Sequence, residues 1–277
     1  MPQASEKAAN RKRGRPRSAL HDRENTPVRA LDRGLDLLQV LSRRGSMTLS
    51  DVARAADIPA STAHRLLGTL QQHGFVQFDG DAQEWAIGIG AYRIGATYLS
   101  RHNLVDAARP ILRRLMEQTG ETANLAILER HEIVFVSQVE TQNPVRAFFL
   151  PGTRSLLHAS GIGKALLANR SNDEIIAVIR EKGLPRYTAK TLTSPQSLLG
   201  EIARIRAQGY SLDDEEQFSG MRCIGAAIFN PFGEAVAGIS ISGPAGRFSD
   251  EMIASSKDHV IRAAQELTLA TGGRQRG

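Results

Sequence analysis

Two stretches of the chain carry residues that are typical of catalytic or ligand-binding sites. Ser61 and His64 lie three residues apart in "IPASTAHRLLGTLQQHGFV", so a helix would place them side by side as a possible nucleophile and base. Further along, the single cysteine, Cys223, follows Asp213 in "SLDDEEQFSGMRCIGAAI", a combination that a thiol enzyme or a redox sensor could use. The Ser61–His64 pair has no obvious third member to orient the base, so we predict no catalytic residue there.

The elements around Ser61 predict a winged helix-turn-helix over residues 28–88. A first helix ends at Gly45, a second is capped by Thr48, and a third starts at Pro59 after a short link. Two strands joined by a turn follow the third helix, as the wing of such a domain requires. The predicted inward stripe of the first helix consists of Leu31, Leu35, Leu38 and Leu41.

The third helix offers a polar face that suits DNA. If its leucines face inward, short hydroxyl side chains and one arginine lie on the opposite side. Small side chains let a helix approach base edges, and an arginine can reach a guanine or a phosphate. A helix with a merely solvated polar face is the alternative, and the neighbouring helix and hairpin favour DNA binding. The predicted DNA-binding residues of this helix are Ser61, Thr62, Arg65 and Thr69.

Charge is unevenly distributed along the 277 residues, whose formal net charge of +6 favours a polyanionic partner. Residues 1–27 hold seven basic and three acidic side chains and few apolar ones, so we expect a disordered basic tail. Within it, Arg13 and Arg15 in "RGRP" form an AT-hook-like core that could lie in an A·T-rich minor groove. A tail that only raises solubility is the alternative.

Composition indicates a folded protein of about two domains, with 41% hydrophobic and 23% charged residues. The single cysteine excludes an internal disulfide and suits a reducing compartment. The sequence shows neither the apolar core of a signal peptide nor a run of about 20 apolar residues. The histidines are scattered rather than spaced as metal ligands. We therefore expect a cytoplasmic protein with no membrane contact, metal or cofactor.

After a linker helix over residues 89–104, the pattern of residues 105–272 predicts strands with helices inserted and appended. "TANLAILE" and "EIVFVSQVE" should form a hairpin, and "VRAFFLPG" a third strand. "CIGAAIFN" and "AVAGISIS" should form a second hairpin, and "SGIGKALLA" a helix. This order predicts an α+β fold in which helices pack on a mixed or antiparallel sheet.

Several long stretches, in order, resemble the IclR family of bacterial transcription regulators. "LSDVARAADIPASTAHRLLGTLQQHGFV" resembles the recognition segment of that family. "GETANLAILE", "LHASGIGKALLA", "GYSLDDEEQFSGMRCIGAAIF" and "AGISISGP" resemble its effector domain. The resemblance implies an N-terminal winged helix-turn-helix, a linker helix that helps dimerisation, and a C-terminal GAF-like α/β effector-binding domain. It also implies a homodimer or a dimer of dimers on palindromic double-stranded DNA operators.

The same resemblance implies a site for a small carboxylate effector. Two main-chain amides would bind its carboxylate, two serines would hydrogen-bond its oxygens, and an aspartate and the cysteine would face its keto or aldehyde end. We favour an acid of two or three carbons, glyoxylate first, and regulation by a change in how the recognition helices are spaced. The implied effector-binding residues are Gly161, Ile162, Asp213, Cys223, Ser240 and Ser242.

Each member of this set also has a simpler interpretation. A lone cysteine in a strand is usually a small buried hydrophobic residue. The two serines could satisfy a sheet edge, and Asp213 could cap a turn. The alternative of another functional class is a thiol-dependent redox sensor or enzyme, for which Cys223 would need a lowered pKa and exposure.

Overall fold

The computed structural model describes residues 28–100 and 104–275, and for residues 96–100 it describes the backbone alone. The chain divides into two compact units between Gly95 and Ala96, and each unit has an apolar core of its own. The predicted basic tail, with Arg13 and Arg15, lies outside the described residues.

Three helices and a small sheet form the first unit. The helices are α1 (Arg29–Arg44), α2 (Leu49–Ala55) and α3 (Ala60–Gln72). The strands β1 (Met47–Thr48), β2 (Val76–Asp79) and β3 (Glu84–Ile87) pair antiparallel in the order β1-β3-β2. The predicted winged helix-turn-helix is thereby confirmed, with β1 as a strand that the sequence did not indicate.

Local chemistry fixes the turn that leads into α3. The Thr48 hydroxyl accepts the Asp51 amide at 3.3 Å, which caps the start of α2. Asp57 then adopts a φ of 51°, a left-handed conformation that aspartate tolerates and that ends the helix. Pro59 precedes the first turn of α3, where the amide that proline lacks would have no helical partner. The chain therefore changes direction within a few residues.

The buried face of α1 differs from the predicted leucine stripe. Leu37 and Leu41 are buried in the core of the first unit, whereas Leu31 and Leu35 are 62% and 50% exposed. The buried side of α1 is formed by Gly34, Leu37 and Leu41, and Leu31 and Leu35 lie beyond its edge. The N-terminal half of α1 consequently shows apolar side chains to solvent.

A six-stranded antiparallel sheet is the centre of the second unit. Its strands are β4 (Thr122–Glu129), β5 (Glu132–Val139), β6 (Arg154–Leu156), β7 (Ser211–Asp214), β8 (Met221–Phe229) and β9 (Ala235–Pro244). Their order in the sheet is β6-β5-β4-β9-β8-β7. This arrangement confirms the predicted α+β class and both predicted hairpins, whereas the short strand β7 was not predicted as a strand.

Helices cover both faces of this sheet. After α4 (Ile89–Ser100), which runs across the division between the two units, they are α5 (Leu104–Thr119), α6 (Gly161–Leu167), α7 (Asn172–Lys182), α8 (Pro195–Gln208) and α9 (Asp250–Ala270). One face packs through Leu112 of α5 and Leu267 of α9 onto the isoleucines of β8 and β9. The other face lies under α6, which contacts β7, β8 and β9.

The segment "VRAFFLPG", residues 145–152, is not a strand, so that prediction was wrong. Instead, the side chain of Gln138 on β5 holds the segment beside the sheet. Its Oε1 accepts the Phe149 amide at 2.9 Å, and its Nε2 donates to the Ala147 carbonyl at 3.3 Å. The Gln138 side chain therefore replaces backbone pairing at Ala147 and Phe149, and the strand that pairs with β5 is β6.

Candidate functional site

The polar face of α3 is open to solvent. Ser61, Arg65 and Thr69 are exposed and Thr62 is half-buried, while Leu67 on the opposite side is fully buried. The Thr69 hydroxyl donates to the Arg65 carbonyl at 3.1 Å, so it is already bonded within the helix. The first two turns of α3 thus present two short hydroxyl side chains and one guanidinium to whatever approaches this face.

The tip of the wing between β2 and β3 is acidic. The Asp79 carboxylate accepts the amides of Asp81 and Ala82 at 2.9 and 3.1 Å, which closes the turn. Below the tip, the rings of Phe78 and Trp85 lie 4.9 Å apart and stiffen the hairpin. Carboxylates at the tip repel phosphates, so the tip of the wing offers no positive charge to a nucleic acid.

One face of the six-stranded sheet carries a row of polar side chains across four strands. Asp213 on β7 is the register partner of Cys223 on β8, which is opposite Ser242 on β9, which is opposite Thr122 on β4. Side chains two residues apart on a strand share a face, so a second row runs parallel to the first. Its members are Gly225, Ser240, Asn124 and Gln138.

Asn124 joins the two rows and was missed by the sequence analysis. Its Nδ2 donates to the Ser242 hydroxyl at 3.1 Å and lies 3.4 Å from the Ser240 hydroxyl. Its Oδ1 is buried and has no hydrogen-bond partner among the described residues. Most buried polar atoms have a hydrogen-bond partner, so this acceptor sets Asn124 apart from the other polar residues of this face. The alternation of polar and apolar residues in "TANLAILE" was the signal that could have revealed it.

The start of α6 lies directly on this polar face. A Cβ added to Gly225 would lie 2.7 Å from the Gly161 carbonyl carbon and 2.7 Å from the Ile162 nitrogen. A Cβ added to Gly161 would lie 3.4 Å from the Cβ of Cys223. The amides of the first helical turn have no partner within the helix. The structure therefore brings together all six implied effector-binding residues, which are Gly161, Ile162, Asp213, Cys223, Ser240 and Ser242.

Burial controls the electrostatics of this site. It raises the pKa of Asp213 to about 7, although the Glu216 amide, 2.8 Å from Asp213 Oδ1, and the Lys164 ammonium oppose the shift. Burial also raises the pKa of the Cys223 thiol, helped by the nearby Asp213 carboxyl and opposed by a hydrogen bond with Ser242. The thiol therefore stays protonated at neutral pH, which suits ligand binding and is the opposite of what a reactive thiolate needs.

His158 is a buried histidine whose ring contacts residues outside this set. Its Nε2 lies 3.0 Å from the Pro185 carbonyl, and its ring stacks on Tyr187. Burial lowers the pKa of His158. In residues 28–100 and 104–275, no group of three or more His, Cys, Asp or Glu side chains is placed to hold a metal ion. Within the same ranges no helix is long and apolar enough to span a bilayer.

A separate cleft of about 450 Å³ lies between α8 and α9, over the far end of the sheet. None of the six implied effector-binding residues lines it. The Arg206 guanidinium at its edge donates to the carbonyls of Ala168 and Arg170 at 2.9 and 2.7 Å. This cation is thus already bonded to the protein, and the convergent polar groups under α6 are the better candidate for a small acid.

Two family models match the chain. The model described as "IclR helix-turn-helix domain" matches residues 30–80, and "Bacterial transcriptional regulator IclR C-terminal" matches residues 96–269. The chain belongs to the IclR family. As an IclR-family protein it is a ligand-responsive, DNA-binding transcriptional regulator, and the relatives that it matches are regulators rather than enzymes.

Characterised relatives cover nearly the whole IclR-family chain. The HTH-type transcriptional regulator BhcR of Paracoccus denitrificans is 48% identical over 268 residues, which is 96% of each chain. The acetate operon repressor of Salmonella typhimurium is 41% identical over 265 residues, 95% of this chain and 97% of the repressor. The crystal structure of the Thermotoga maritima IclR covers 89% of this chain and 100% of its own, with 29% identity and a TM-score of 0.76.

Proposed function

We propose that this IclR-family regulator binds a palindromic operator through the polar face of α3 and senses a small keto or aldehyde acid, with glyoxylate favoured. The observation that carries the effector assignment is the convergence of the Gly161–Ile162 amides, two serines, an aspartate and a thiol on one sheet face. So few polar groups at such short spacing suit a ligand of about five or six heavy atoms.

In the proposed complex, each end of the acid has its own partners. The amides of Gly161 and Ile162 bind the carboxylate, and the hydroxyls of Ser240 and Ser242 hold its oxygens. Asp213 in its protonated form donates to the keto or aldehyde oxygen, and its pKa of about 7 makes that form available at neutral pH. Cys223 completes this end as a neutral thiol.

On the DNA side, Ser61, Thr62 and Arg65 contact the major groove, and Thr69 supports them from the next turn. We assign residues 28–88 to DNA binding, 89–104 to the linker and 105–272 to effector binding. In the tail, residues 1–27, Arg13 and Arg15 supply the phosphate and minor-groove contacts that the acidic wing lacks. A regulator that works on a bacterial chromosome works in the cytoplasm.

A second copy of the chain covers the exposed apolar face of α1 in this proposal. Val28, Leu31 and Leu35 are 69%, 62% and 50% exposed, and Ile89 and Tyr92 of α4 are 69% exposed each. An exposed apolar patch on a protein surface favours association with another protein chain. A homodimer, or a dimer of dimers, would pair two recognition helices on the two halves of a palindrome about one helical turn apart, or a multiple of that.

The thiol-dependent alternative is disfavoured, because Cys223 is only 7% exposed and its pKa is raised. Replacement of Cys223 by Ser separates the two functions. Regulation by glyoxylate should persist in Cys223→Ser with weakened affinity, and treatment of the wild type with peroxide should leave operator binding unchanged. A peroxide response that disappears in Cys223→Ser would instead support the redox function.

Calorimetry of the full chain with glyoxylate, pyruvate and 4-hydroxybenzoate tests the effector assignment. We expect heat of binding with glyoxylate at millimolar concentration, a weaker signal with pyruvate, and none with the aromatic acid. Ser242→Ala should weaken glyoxylate binding at least tenfold, and Ser255→Ala, at an exposed serine of α9, should leave it unchanged. No heat with glyoxylate contradicts the assignment. If linkage holds, operator DNA changes glyoxylate affinity by the factor by which glyoxylate changes operator affinity.

A further inference from the structure

Lys164 lies in the middle of α6 and is completely buried, with 0% exposure. Its Nζ donates to the Leu212 carbonyl at 2.5 Å and to the Glu216 carboxylate, and lies 3.9 Å from Glu201 Oε1 on α8. A lysine is kept inside a protein only where partners replace the water that its ammonium loses. No pattern in the sequence indicated a role for this residue.

The two hydrogen-bond acceptors of the Lys164 ammonium belong to one short piece of chain, Leu212–Glu216, which we name the aspartate arm because it carries Asp213. The Glu216 amide donates to Asp213 Oδ1 at 2.8 Å, which folds the arm back on itself. The Thr191 hydroxyl donates to the Glu216 carbonyl at 2.6 Å. Lys164 thus holds the arm at its first and last residues, on either side of the Asp213 carboxyl.

The charges that surround Asp213 come from several elements. Lys164 of α6 opposes the rise of its pKa, and Glu216 of the arm itself reinforces it. Glu201 approaches Lys164 from α8, and its own carboxylate is paired with Arg204. The Glu216 carboxylate is buried, and its Oε2 has no hydrogen-bond partner among the described residues. Lys164 therefore compensates a carboxylate that has little other support.

We propose that Lys164 is a positioning residue of the effector site, which fixes the aspartate arm so that Asp213 faces Cys223 and Ser242, and that its removal weakens carboxylate binding. This inference rests on the proposed function, because it assumes that the acid binds beside Asp213. Lys164 acts through the arm and does not touch the ligand in this arrangement. Its second effect is electrostatic, since a buried cation close to the site favours a bound anion.

Glyoxylate affinity of Lys164→Met, measured by calorimetry from pH 5.5 to pH 8.5, separates positioning from a general loss of stability. We expect at least tenfold weaker binding at pH 6, with ligand-free operator affinity unchanged. We also expect the pH at which affinity begins to fall to move upward, because removal of the cation raises the pKa of Asp213 further. Lys182→Met, at a half-exposed lysine of α7 paired with Glu132, is the matched control and should behave as the wild type.

Lys164→Met leaves the Glu216 carboxylate unpaired and could fail to fold, so Lys164→Met/Glu216→Gln is made in parallel. The double variant removes both charges. The pH at which its glyoxylate affinity begins to fall should return toward that of the wild type. The reason is that Lys164 lowers the pKa of Asp213 and Glu216 raises it, and the double variant removes both effects. Its affinity should stay low, because the arm has lost its anchor. A double variant that binds glyoxylate as tightly as the wild type overturns the proposal.

Hydrogen exchange of the ligand-free full chain tests the positioning claim without any effector. In Lys164→Met, peptides that cover residues 211–220 should exchange faster, while peptides of β4 and β9 stay as protected as in the wild type. Unchanged protection of residues 211–220 contradicts the proposal whether or not glyoxylate binds. If the wild type binds no glyoxylate but the arm loses protection in the variant, the effector assignment fails and the role of Lys164 in holding the arm stands.

Discussion

Gly225 of β8 lies directly beneath the peptide that joins Gly161 to Ile162 at the start of α6. A Cβ at Gly225 would come within 2.7 Å of the Gly161 carbonyl carbon and of the Ile162 nitrogen. Two stretches of backbone can approach this closely only where a glycine leaves room. This contact sets the distance between the first amides of α6 and the polar rows of the sheet, which are the two sides of the proposed effector site.

Gly225→Ala should separate α6 from β8. Because backbone atoms and not a flexible side chain occupy the space, we expect the free energy of unfolding to fall by about 1–3 kcal/mol, measured by urea denaturation. Glyoxylate affinity should fall at least tenfold, since the amides would move away from Ser240 and Ser242. Gly246→Ala, where an added Cβ meets no atom within 4 Å, is the matched control. Glyoxylate affinity that survives in Gly225→Ala would contradict the proposed use of these amides.

Glyoxylate affinity should depend on the protonation of Asp213, whose pKa is raised to about 7. Below this pH the carboxyl is neutral and donates to the ligand; above it, the carboxylate repels the bound anion. Affinity should therefore be highest below pH 7 and fall by up to about tenfold per pH unit above it. Calorimetry from pH 5.5 to pH 8.5 measures this profile.

Asp213→Asn supplies the control for that profile, because the asparagine oxygen can still accept the Glu216 amide. The variant should bind glyoxylate with an affinity that changes little across the same pH range. If the wild type and Asp213→Asn lose affinity in parallel as the pH rises, the dependence belongs to another group and the assigned role of Asp213 is wrong.

Arg65→Ala should weaken operator binding by about 1–3 kcal/mol, which is about fivefold to about 150-fold, because the guanidinium is exposed on the face of α3. Loss of a guanine contact would relax specificity at one base pair, and loss of a phosphate contact would lower affinity uniformly. Fluorescence anisotropy with operator and unrelated DNA distinguishes the two. Gln72→Ala, at an exposed residue in the last turn of the same helix, should change neither affinity.

Deletion of residues 1–20 should weaken DNA binding and flatten its dependence on salt. The deleted segment contains Arg13 and Arg15. The slope of log K against log salt is negative, and each phosphate contact that is lost makes it shallower by about one. Anisotropy titrations at several salt concentrations measure the slope. An unchanged slope would leave the tail without a role in DNA binding.

Periodicity predicted the elements that bury one clear face. The spacing of its leucines predicted the third helix and its polar side, and Leu67 is fully buried in the structure. The same approach failed for α1, where Leu31 and Leu35 are exposed. Spacing alone does not say which part of a broad apolar arc meets the core when the whole helix is rich in leucine.

The segment of residues 145–152 shows a second limit of sequence patterns. Its apolar and aromatic residues are typical of a strand, yet Gln138 supplies the bonds that a neighbouring strand would have supplied. Phe149 stacks on Phe135 at 4.3 Å, so burial of the aromatic side chain and not backbone pairing accounts for the composition. A side chain of the preceding strand, β5, decided the conformation.

The effector-site residues entered through the family resemblance, since residues as far apart as Gly161 and Ser242 have no common spacing. Only the sheet register brings them together. Asn124 could have been found from its alternation with apolar neighbours on β4. Lys164 gave no such signal, because a lysine within an apolar helix normally extends its ammonium to solvent, and its partners lie about fifty residues away.

A hydroxyl-radical footprint on the DNA upstream of this protein's own gene tests the central claim that the polar face of α3 contacts DNA. The wild type should protect two half-sites about one helical turn apart, or a multiple of that, and glyoxylate should change this protection. The triple variant Ser61→Ala/Thr62→Ala/Arg65→Ala should lose the protection, while Gln72→Ala keeps it. Protection of the same bases by the triple variant and the wild type would contradict the claim.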